Sequence, residues 1–518
     1  MFSDALLGVL FIFGGGYAIA RTLRTRELLW TCAAPGLPAG FVLWQVTWPL
    51  GLTVMGACLY ACSLGRRWHR TDLAVGGDHA AIALARLGIG GVLERHQRQQ
   101  TAREGFLTGG HLIVGRDEHG LPVSIPVGYQ SGRHTLVLGA TGAGKTVSEA
   151  WVTTRLIDTG YGGITLDPKG DTMLHDELER AANRTGRPFF EWTPEGPLAY
   201  NPYTHGTDTE IADKALSGEH FTEPHYLRQA QRYLGHAVRV MHTAQVPVTP
   251  ASLMAHLDPR QLEVSARQLP GEDAKIVLDY LDSLSERQKH DLGGVRDRLS
   301  ILAESDARQW LNPNGSGHTL DLQRAVNERA VVYFRLDSDR RPLLSAMLAA
   351  AIVGDLVTLS TRTQQKPVPT VVLIDEFSAI LAGQVSRLFG RARTAGFSLI
   401  LATQELADMQ SAANGELRDQ VIGNLASVIA HRQTVPESAE MIAQIAGSKP
   451  VWLSTQQTQH VAFGSPESGR GSRRRGQEPN IDPNIIKNLQ TGEAAVITPG
   501  TDQPPTITHM HHPDEAHT

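Results

Sequence analysis

The sequence predicts a mixed α/β protein with a mostly parallel central sheet, an inserted all-α segment and two apolar helices near its start. Short apolar runs that end in glycine or polar residues recur along the chain, and such runs are typical of buried parallel strands. Between residues 208 and 312 the apolar residues recur at helical spacing instead, which predicts a helical insertion. Two uncharged stretches, Ala5 to Ala20 and Phe41 to Leu64, precede this pattern.

The two uncharged stretches are predicted membrane spans, so that residues 1–70 form a membrane anchor. A helix crosses a bilayer with about 20 apolar residues. Arginines lie both between the spans and after the second one, and basic residues favour the cytoplasmic side. Two topologies therefore stay open: two full spans with only the second basic cluster in the cytoplasm, or a partial re-entrant turn around Pro35 to Pro38 that keeps both clusters there.

The composition of the rest of the chain predicts a cytoplasmic location, and its charge limits how the chain could bind nucleic acid. The net charge is −5 and only 19% of the 518 residues are charged. Any contact with DNA must therefore come from local basic patches. The only cysteines, Cys32, Cys58 and Cys62, lie in the first 64 residues, which is typical of a reduced compartment for the remainder.

A phosphate-binding loop follows the apolar run Thr135–Leu138 and opens a helix-compatible segment, the context that this motif requires. Glycines let backbone N–H groups surround phosphates, and a helix N-terminus adds partial positive charge. Lys145 supplies a full positive charge, and Thr146 a hydroxyl for Mg²⁺. The predicted nucleotide-binding residues are Gly139, Ala140, Thr141, Gly142, Ala143, Gly144, Lys145 and Thr146.

A second predicted strand, Val371–Ile374, ends in the two carboxylates that a nucleotide site needs opposite its phosphate-binding loop. Asp375 is predicted to hold the Mg²⁺ shell, and Glu376 to orient and deprotonate the attacking water. The strand Phe397–Thr403 leads into Gln404, which either senses the γ-phosphate or positions water, or simply caps the strand. ATP and Mg²⁺ are the predicted cofactors.

The strand that ends at Asp167 breaks into a turn with Lys169, which places both residues at the same sheet edge as accessory candidates. Alternatively, both residues could be present only because their side chains suit the turn itself. Arg393 lies on a helix before the Gln404 strand, either on a solvated face or as a finger that reaches the γ-phosphate of a neighbouring subunit. Arg473, Arg474 and Arg475 form a glycine-flanked basic loop, either disordered or in contact with DNA phosphates.

The predicted domain organisation follows from these patterns. A mostly helical connector, residues 71–106, follows the anchor, and the tail, residues 499–518, is Pro/His-rich and expected to be disordered. The nucleotide-binding domain comprises residues 107–207 and 313–498, and residues 208–312 form the inserted all-α subdomain.

Taken together, the two N-terminal spans, the helical insertion and the site motifs resemble the type IV secretion coupling proteins of the TraG and TraD kind, the membrane-anchored DNA pumps of bacterial conjugation. The resemblance covers nearly the whole chain. The short, basic segment between the spans departs from the family, in which this segment is larger. The motifs that carry the resemblance are His134–Thr146, Asp167–Asp171, Tyr200–Pro202, Leu373–Phe377 and Arg393–Gln404.

The resemblance implies a RecA-like ATPase core that assembles as a homo-hexameric ring on the cytoplasmic face of the inner membrane. It implies that the helical insertion faces the relaxase and its relaxosome, and that ATP hydrolysis drives DNA toward the secretion channel. For this chain, the resemblance implies that Gln404 couples hydrolysis to movement. It also implies that Arg393 is an arginine finger that reaches the γ-phosphate bound by a neighbouring subunit.

Two alternatives remain at this point. A DNA-partition pump of the FtsK or HerA type is disfavoured, because no winged-helix domain fits after Ile497. A membrane scaffold with a nucleotide switch is disfavoured by Glu376, whose place beside Asp375 favours turnover over binding alone.

Overall fold

The computed structural model describes residues 2–25, 33, 36–46, 48–73, 106–128, 131–217, 223–312, 318–377, 385–409, 416–458 and 467–517. The chain divides into two units, residues 1–97 with 447–480 and residues 98–446 with 481–518. The predicted connector, residues 71–106, lies almost wholly outside the described residues.

The strands are β1 (Leu107–Thr108), β2 (His111–Asp117), β3 (Pro122–Pro126), β4 (Thr135–Leu138), β5 (Gly162–Asp167), β6 (Phe189–Trp192), β7 (Ala199–Tyr200), β8 (Thr319–Leu320), β9 (Val331–Arg335), β10 (Thr370–Ile374), β11 (Phe397–Thr403), β12 (Ser427–Ala430), β13 (Ser448–Thr458), β14 (Glu467–Pro479), β15 (Glu493–Ile497) and β16 (Thr506–Met510).

The α-helices are α1 (Phe2–Thr25), α2 (Gly36–Val46), α3 (Trp48–Leu73), α4 (Lys145–Asp158), α5 (Thr172–Thr185), α6 (Asp208–Ala215), α7 (Pro224–Thr243), α8 (Pro250–His256), α9 (Pro259–Ala266), α10 (Gly271–Ser283), α11 (Glu286–Ala303), α12 (Arg308–Leu311), α13 (Leu322–Asn327), α14 (Pro342–Thr363), α15 (Val385–Ala395), α16 (Glu416–Asn424), α17 (Pro436–Ala446) and α18 (Pro483–Lys487). Short 3₁₀ helices cover Leu406–Met409 and Pro513–His517.

The second unit is built on a 12-stranded sheet in the order β1-β2-β16-β15-β12-β4-β11-β10-β5-β9-β6, with β3 paired to β2. The seven strands from β12 to β6 pair in parallel, and the remaining pairs are antiparallel. Parallel strands need crossovers, which bring helices onto both faces of the sheet. The predicted α/β fold with a mostly parallel sheet is therefore confirmed.

The two faces of the sheet bury separate cores. Trp151 of α4 lies in one core with α5, while α14 and the helical insertion pack into the other. Within the described residues, α14 is the one helix long and apolar enough to cross a membrane, and 78% of its apolar window is buried in the fold. It is a core helix of this sheet.

The helices of the insertion run from Asp208 to Leu311 between two short strands that pair with each other. β7 and β8 are parallel neighbours, so the chain leaves and re-enters the α/β part at one place. Lys214 of α6 anchors the insertion, because its buried Nζ lies 3.0 Å from the equally buried Asp355 carboxylate of α14. Tyr200 donates a second hydrogen bond of 3.0 Å to that carboxylate.

The first unit contains the N-terminal helices and the hairpin of β13 and β14. Helices α1 and α3 contact each other, and the rings of Phe13 and Tyr60 meet edge to face with centroids 4.8 Å apart. The first predicted span falls on α1, and the second falls on α2 and α3. Their insertion into a membrane remains a prediction.

The prediction that residues 499–518 are disordered is wrong. β16 lies inside the sheet between β15 and β2, and Thr508 is fully buried. The Pro/His-rich composition suggested disorder, but the three consecutive β-branched residues Thr506, Ile507 and Thr508 suit a strand. Pairing on both sides supplies the partners for the backbone of this strand. The tail is therefore part of the fold.

The prediction of a basic loop around Arg473, Arg474 and Arg475 is also wrong. These residues belong to the 13-residue strand β14, which pairs with β13 at ten positions. The glycines suggested a loop, but cross-strand pairing with the β-favourable sequence of β13 orders the segment. Arg475 lies opposite Trp452, with its guanidinium 5.3 Å from the indole centroid.

Candidate nucleotide site

The phosphate-binding loop joins the carboxyl end of β4 to the N-terminus of α4. Gly142 and Gly144 have φ angles of 75° and 107°, a region that favours glycine. A Cβ at Gly142 would meet no atom within 4 Å, so the loop is open on that side. The loop therefore has the backbone of an anion-binding turn at a helix N-terminus.

Three other predicted site residues emerge at the same edge of the sheet as this loop. β10 pairs in parallel with β5 and β11, and β11 pairs in parallel with β4. The carboxyl ends of these strands carry Asp375, Asp167 and Gln404. Ligands of open α/β sheets bind at this edge.

Lys145 is surrounded by carboxylates. Its ammonium forms an ion pair with Asp375, and its Nζ lies 3.2 Å from Glu149 Oε1 and 3.6 Å from Glu376 Oε1. The Lys145 side chain is only 11% exposed and that of Glu149 is fully buried. Three carboxyl groups therefore face one cation, and carboxylate oxygens are the ligands that a hard divalent cation takes.

Glu376 is fixed by residues from two other strand ends. Its Oε1 accepts hydrogen bonds from Lys169 Nζ at 2.8 Å and from Gln404 Nε2 at 3.0 Å. Its φ of 47° lies in the left-handed region, which is uncommon for a residue other than glycine. Such strain is concentrated at functional sites, where the surroundings hold it in place.

The pKa values of Asp375 and Glu376 are shifted in opposite directions, although the two residues lie in one pocket. Burial raises the pKa of Asp375, and the like charge of Glu376 adds to this effect while Lys145 opposes it. Burial alone would raise the pKa of Glu376 too, but Lys145, Lys169 and Gln404 together hold it below its ordinary value. The surroundings therefore favour the ionised form of Glu376 over that of Asp375.

Asp167 shapes the turn that carries Lys169. Its Oδ1 accepts the N–H groups of Lys169 and Gly170 at 2.8 Å each, and its Oδ2 accepts from Asp171 N–H at 2.7 Å and Tyr333 Oη at 2.6 Å. Both carboxylate oxygens are thus engaged by the turn and by Tyr333. This arrangement favours the structural explanation of Asp167, whereas Lys169 reaches Glu376 directly.

Arg393 lies away from these contacts. Arg393 is exposed on α15, and its carbonyl accepts the N–H of Gly132, which precedes β4. It therefore lies toward the amino edge of the sheet, opposite the phosphate-binding loop of its own chain. Arg474 and Arg475 are exposed on β14 in the other unit, as part of the Arg473–Arg475 segment.

Three residues of the site were missed by the sequence analysis. Glu149 lies one helical turn after Lys145, and only that spacing points to it. His431 follows the end of β12, beside β4, and the strand-end rule that selected Asp375 would have selected it as well. Gln433 donates to the Gln404 carbonyl at 2.9 Å and so supports the segment after β11.

The residues present fit Mg²⁺ and a nucleoside triphosphate. Mg²⁺ is held in such sites by one or two carboxylates together with phosphate oxygens. Asp375 and the hydroxyl of Thr146 are the donors available for it, and the glycine loop with Lys145 is suited to the phosphates. Buried Glu149 lies beside these groups, with its Oε1 3.2 Å from Lys145 Nζ.

Solved structures share this fold. The plasmid coupling protein TrwB in complex with the ATP analogue ADPNP is 16% identical with a TM-score of 0.55, over 79% of this chain and 91% of that chain. TrwB in complex with ADP and Mg²⁺ is 16% identical with a TM-score of 0.54, over 79% and 91% of the two chains. VirB4 of Thermoanaerobacter pseudethanolicus is 14% identical with a TM-score of 0.50, over 79% and 98%. No curated protein matches the chain by sequence.

The fold and the site define this chain as a P-loop NTPase by class. Residues 369–491 match the family described as the TraM recognition site of TraD and TraG, and this stretch begins one residue before β10 and includes Asp375, Glu376 and Gln404. This match confirms the resemblance to TraG- and TraD-like coupling proteins predicted from the sequence.

Proposed function

We propose that this chain is a membrane-anchored ATPase that moves DNA toward a type IV secretion channel during conjugation. One observation carries the proposal: Lys145 of the phosphate-binding loop pairs with Asp375, 230 residues further along the chain, and Glu376 lies beside them. This meeting of the phosphate-binding loop and the two carboxylates at one sheet edge supports an ATP-hydrolysing site there.

In the proposed reaction this chain supplies positioning and charge. Mg²⁺ would neutralise the charge on the β- and γ-phosphates, with Asp375 and Thr146 as its protein donors. Lys145 offers its ammonium to the phosphates and gives up part of its pairing with Asp375 as it does so. Glu376, held ionised in front of the loop, orients the attacking water and accepts its proton.

The surroundings of Glu376 suggest how hydrolysis is linked to movement. Gln404 donates to Glu376 through its side chain, and its carbonyl accepts from Gln433 in the segment after β12. A change in the charge of the catalytic pocket therefore reaches the segment between β12 and α17 through two hydrogen bonds. Segments near the γ-phosphate that rearrange on hydrolysis are a common source of motion in P-loop proteins.

The assembly and the partners follow from the family. The resemblance implies a homo-hexameric ring at the inner membrane, with α1 to α3 in the anchor and the helical insertion toward the relaxase and its relaxosome. In a ring, Arg393 acts on the site of the neighbouring subunit, which agrees with its position away from its own loop. Arg473, Arg474 and Arg475 are proposed contacts for DNA phosphates.

The test is ATP hydrolysis by the purified full-length chain with no DNA, single-stranded DNA or duplex DNA. We expect hydrolysis that requires Mg²⁺ and that one form of DNA stimulates several-fold. A chain that binds Mg·ATP without hydrolysing it under any of these conditions would instead favour the nucleotide-switched scaffold.

A further inference from the structure

A second set of contacts holds the phosphate-binding loop from the turn before β15. Thr491 Oγ1 donates to the Gly142 carbonyl at 3.2 Å, and Gly492 N–H donates to the Ala143 carbonyl at 3.1 Å. Both acceptors belong to the loop itself. In a planar trans peptide the carbonyl and the following N–H point in opposite directions. Fixing the Ala143 carbonyl on Gly492 therefore turns the Gly144 N–H away from this turn.

His431 holds the same loop from the end of β12. Its Nδ1 lies 2.9 Å from the Glu493 carbonyl, and since a carbonyl only accepts, Nδ1 carries the proton. The Nε2 atom is then an acceptor for the Ser148 hydroxyl of α4, 2.9 Å away. The ring is fully buried, and burial lowers the pKa of His431 to about 4, so the neutral form bridges the two elements at neutral pH.

The His431 side chain also fills the space beside two glycines of the loop. A Cβ at Gly139 would lie 3.0 Å from His431 Cβ, and a Cβ at Gly144 would lie 3.5 Å from its Cε1 and 3.2 Å from Gly492 N. The loop thus touches His431 and Gly492 directly. Glycine at position 144 is needed for this close approach as well as for its φ angle.

The last described strand holds the turn in place. Met510 N–H donates to the Gly492 carbonyl at 2.8 Å, so Gly492 is fixed between β16 on one side and the loop on the other. His511, the next residue, lies against Trp151 of α4 with ring centroids 5.0 Å apart. The segment expected to be a disordered tail therefore contacts both the helix and the turn that support the nucleotide site.

We propose that His431, Thr491 and Gly492, here called the brace, are positioning residues that hold the phosphate-binding loop in its nucleotide-binding conformation, with β16 holding the brace. This inference rests on the proposed function, because the loop must bind nucleotide for the brace to matter. The brace acts through the loop backbone and does not touch the reacting atoms. Through the brace, nucleotide affinity depends in part on Thr491, which lies 349 positions after Gly142 of the loop in the sequence.

Thr491 allows the sharpest test because it is exposed and contacts the loop through its hydroxyl alone among the contacts described. Thr491→Val removes the donor and keeps the shape, whereas Thr491→Ser keeps the donor. The binding of a fluorescent ADP analogue is measured by titration of the full-length chain. We expect Thr491→Val to weaken binding about threefold to tenfold, the effect of one hydrogen bond, and Thr491→Ser to bind within about twofold of the wild type.

The thermal unfolding temperature and the kinetic constants separate positioning from a structural effect. We expect Thr491→Val to unfold at the wild-type temperature and to raise KM for ATP while kcat at saturating ATP is retained. Wild-type affinity in Thr491→Val, or equal weakening in Thr491→Ser, would overturn the proposal.

His431→Phe provides the second variant, since it removes both ring hydrogen bonds at similar volume. We expect nucleotide binding to weaken by more than in Thr491→Val, because the buried Ser148 hydroxyl also loses its acceptor. A folded His431→Phe chain with wild-type affinity would contradict the brace. A wild-type chain that binds ADP but does not hydrolyse ATP would count against the proposed function and leave this test intact.

Discussion

The ammonium of Lys145 pairs with the carboxylate of Asp375, although 230 residues separate them in the sequence. The pairing arises because β4 and β10 lie on either side of β11, so their carboxyl ends share one edge. Burial alone would lower the pKa of Lys145, but Glu149, Asp375 and Glu376 together raise it, so the site favours the charged form of the lysine.

Lys145→Ala is expected to abolish DNA-stimulated ATP hydrolysis and to weaken nucleotide binding about tenfold or more, because the variant cannot form a charge-assisted hydrogen bond to phosphate. Lys169→Ala is the matched control: it removes a nearby ammonium that contacts Glu376 and not the loop. We expect it to retain ADP binding. Titration with the fluorescent ADP analogue checks both variants, and equal weakening in the two would contradict the assignment of Lys145.

Glu149→Gln is expected to be more stable than the wild type at high pH. Burial, reinforced by Asp375, raises the pKa of Glu149 from 4.5 to about 8. The folded chain therefore keeps a proton that the unfolded chain releases, and the wild type loses stability as the pH rises from about 4.5 to about 8. Unfolding temperatures of both chains without nucleotide, measured across this range, check the prediction. A difference that stays constant with pH would refute it.

Arg393→Ala is expected to eliminate hydrolysis when it is the only subunit present, since a trans-acting arginine contributes about 10³-fold to 10⁵-fold in rate. Mixing it with Lys145→Ala subunits should restore part of the activity, because some sites then combine an intact loop with an intact arginine. Arg391→Ala is the control, as Arg391 bonds to Thr361 within its own chain. Rings that form from the mixture without any regained activity would rule out the trans role.

Replacing Arg474 and Arg475 with alanine is expected to weaken DNA binding and to reduce its salt dependence, by about one unit of slope for each DNA phosphate that is no longer neutralised. Arg267 and Arg324 serve as controls, because each is already paired with a glutamate four residues away in the sequence. DNA affinity measured over a range of salt concentrations distinguishes the two pairs. If the salt dependence of DNA affinity is unchanged in the Arg474 and Arg475 variant, the hairpin of β13 and β14 does not contact DNA phosphates.

Local patterns were sufficient to predict the sheet and the ends of its strands. The apolar runs before Gly139, Asp375 and Gln404 identify buried strands, and the rule that ligands bind at carboxyl ends brings these residues to one edge. The same rule applied to β12 would have identified His431. Glu149 was missed because a carboxylate one turn into a helix ordinarily indicates a surface ion pair.

The errors concern segments whose structure depends on distant partners. β14 is a strand because β13 pairs with it, and β16 is a strand because β15 and β2 lie on either side. Neither segment shows a strong period of its own, and its glycines or prolines suggested a loop or a tail. Pairing between segments far apart in sequence decides such cases, and composition does not report it.

The most direct test of the central claim is a single-turnover measurement of bound ATP in the wild type and in Glu376→Gln. The amide keeps the shape of Glu376 but cannot accept the proton of the attacking water. We expect the variant to bind ATP with wild-type affinity and to cleave it at least about 10²-fold more slowly. Cleavage at the wild-type rate in Glu376→Gln would show that the edge where Lys145 meets Asp375 and Glu376 is not where hydrolysis occurs.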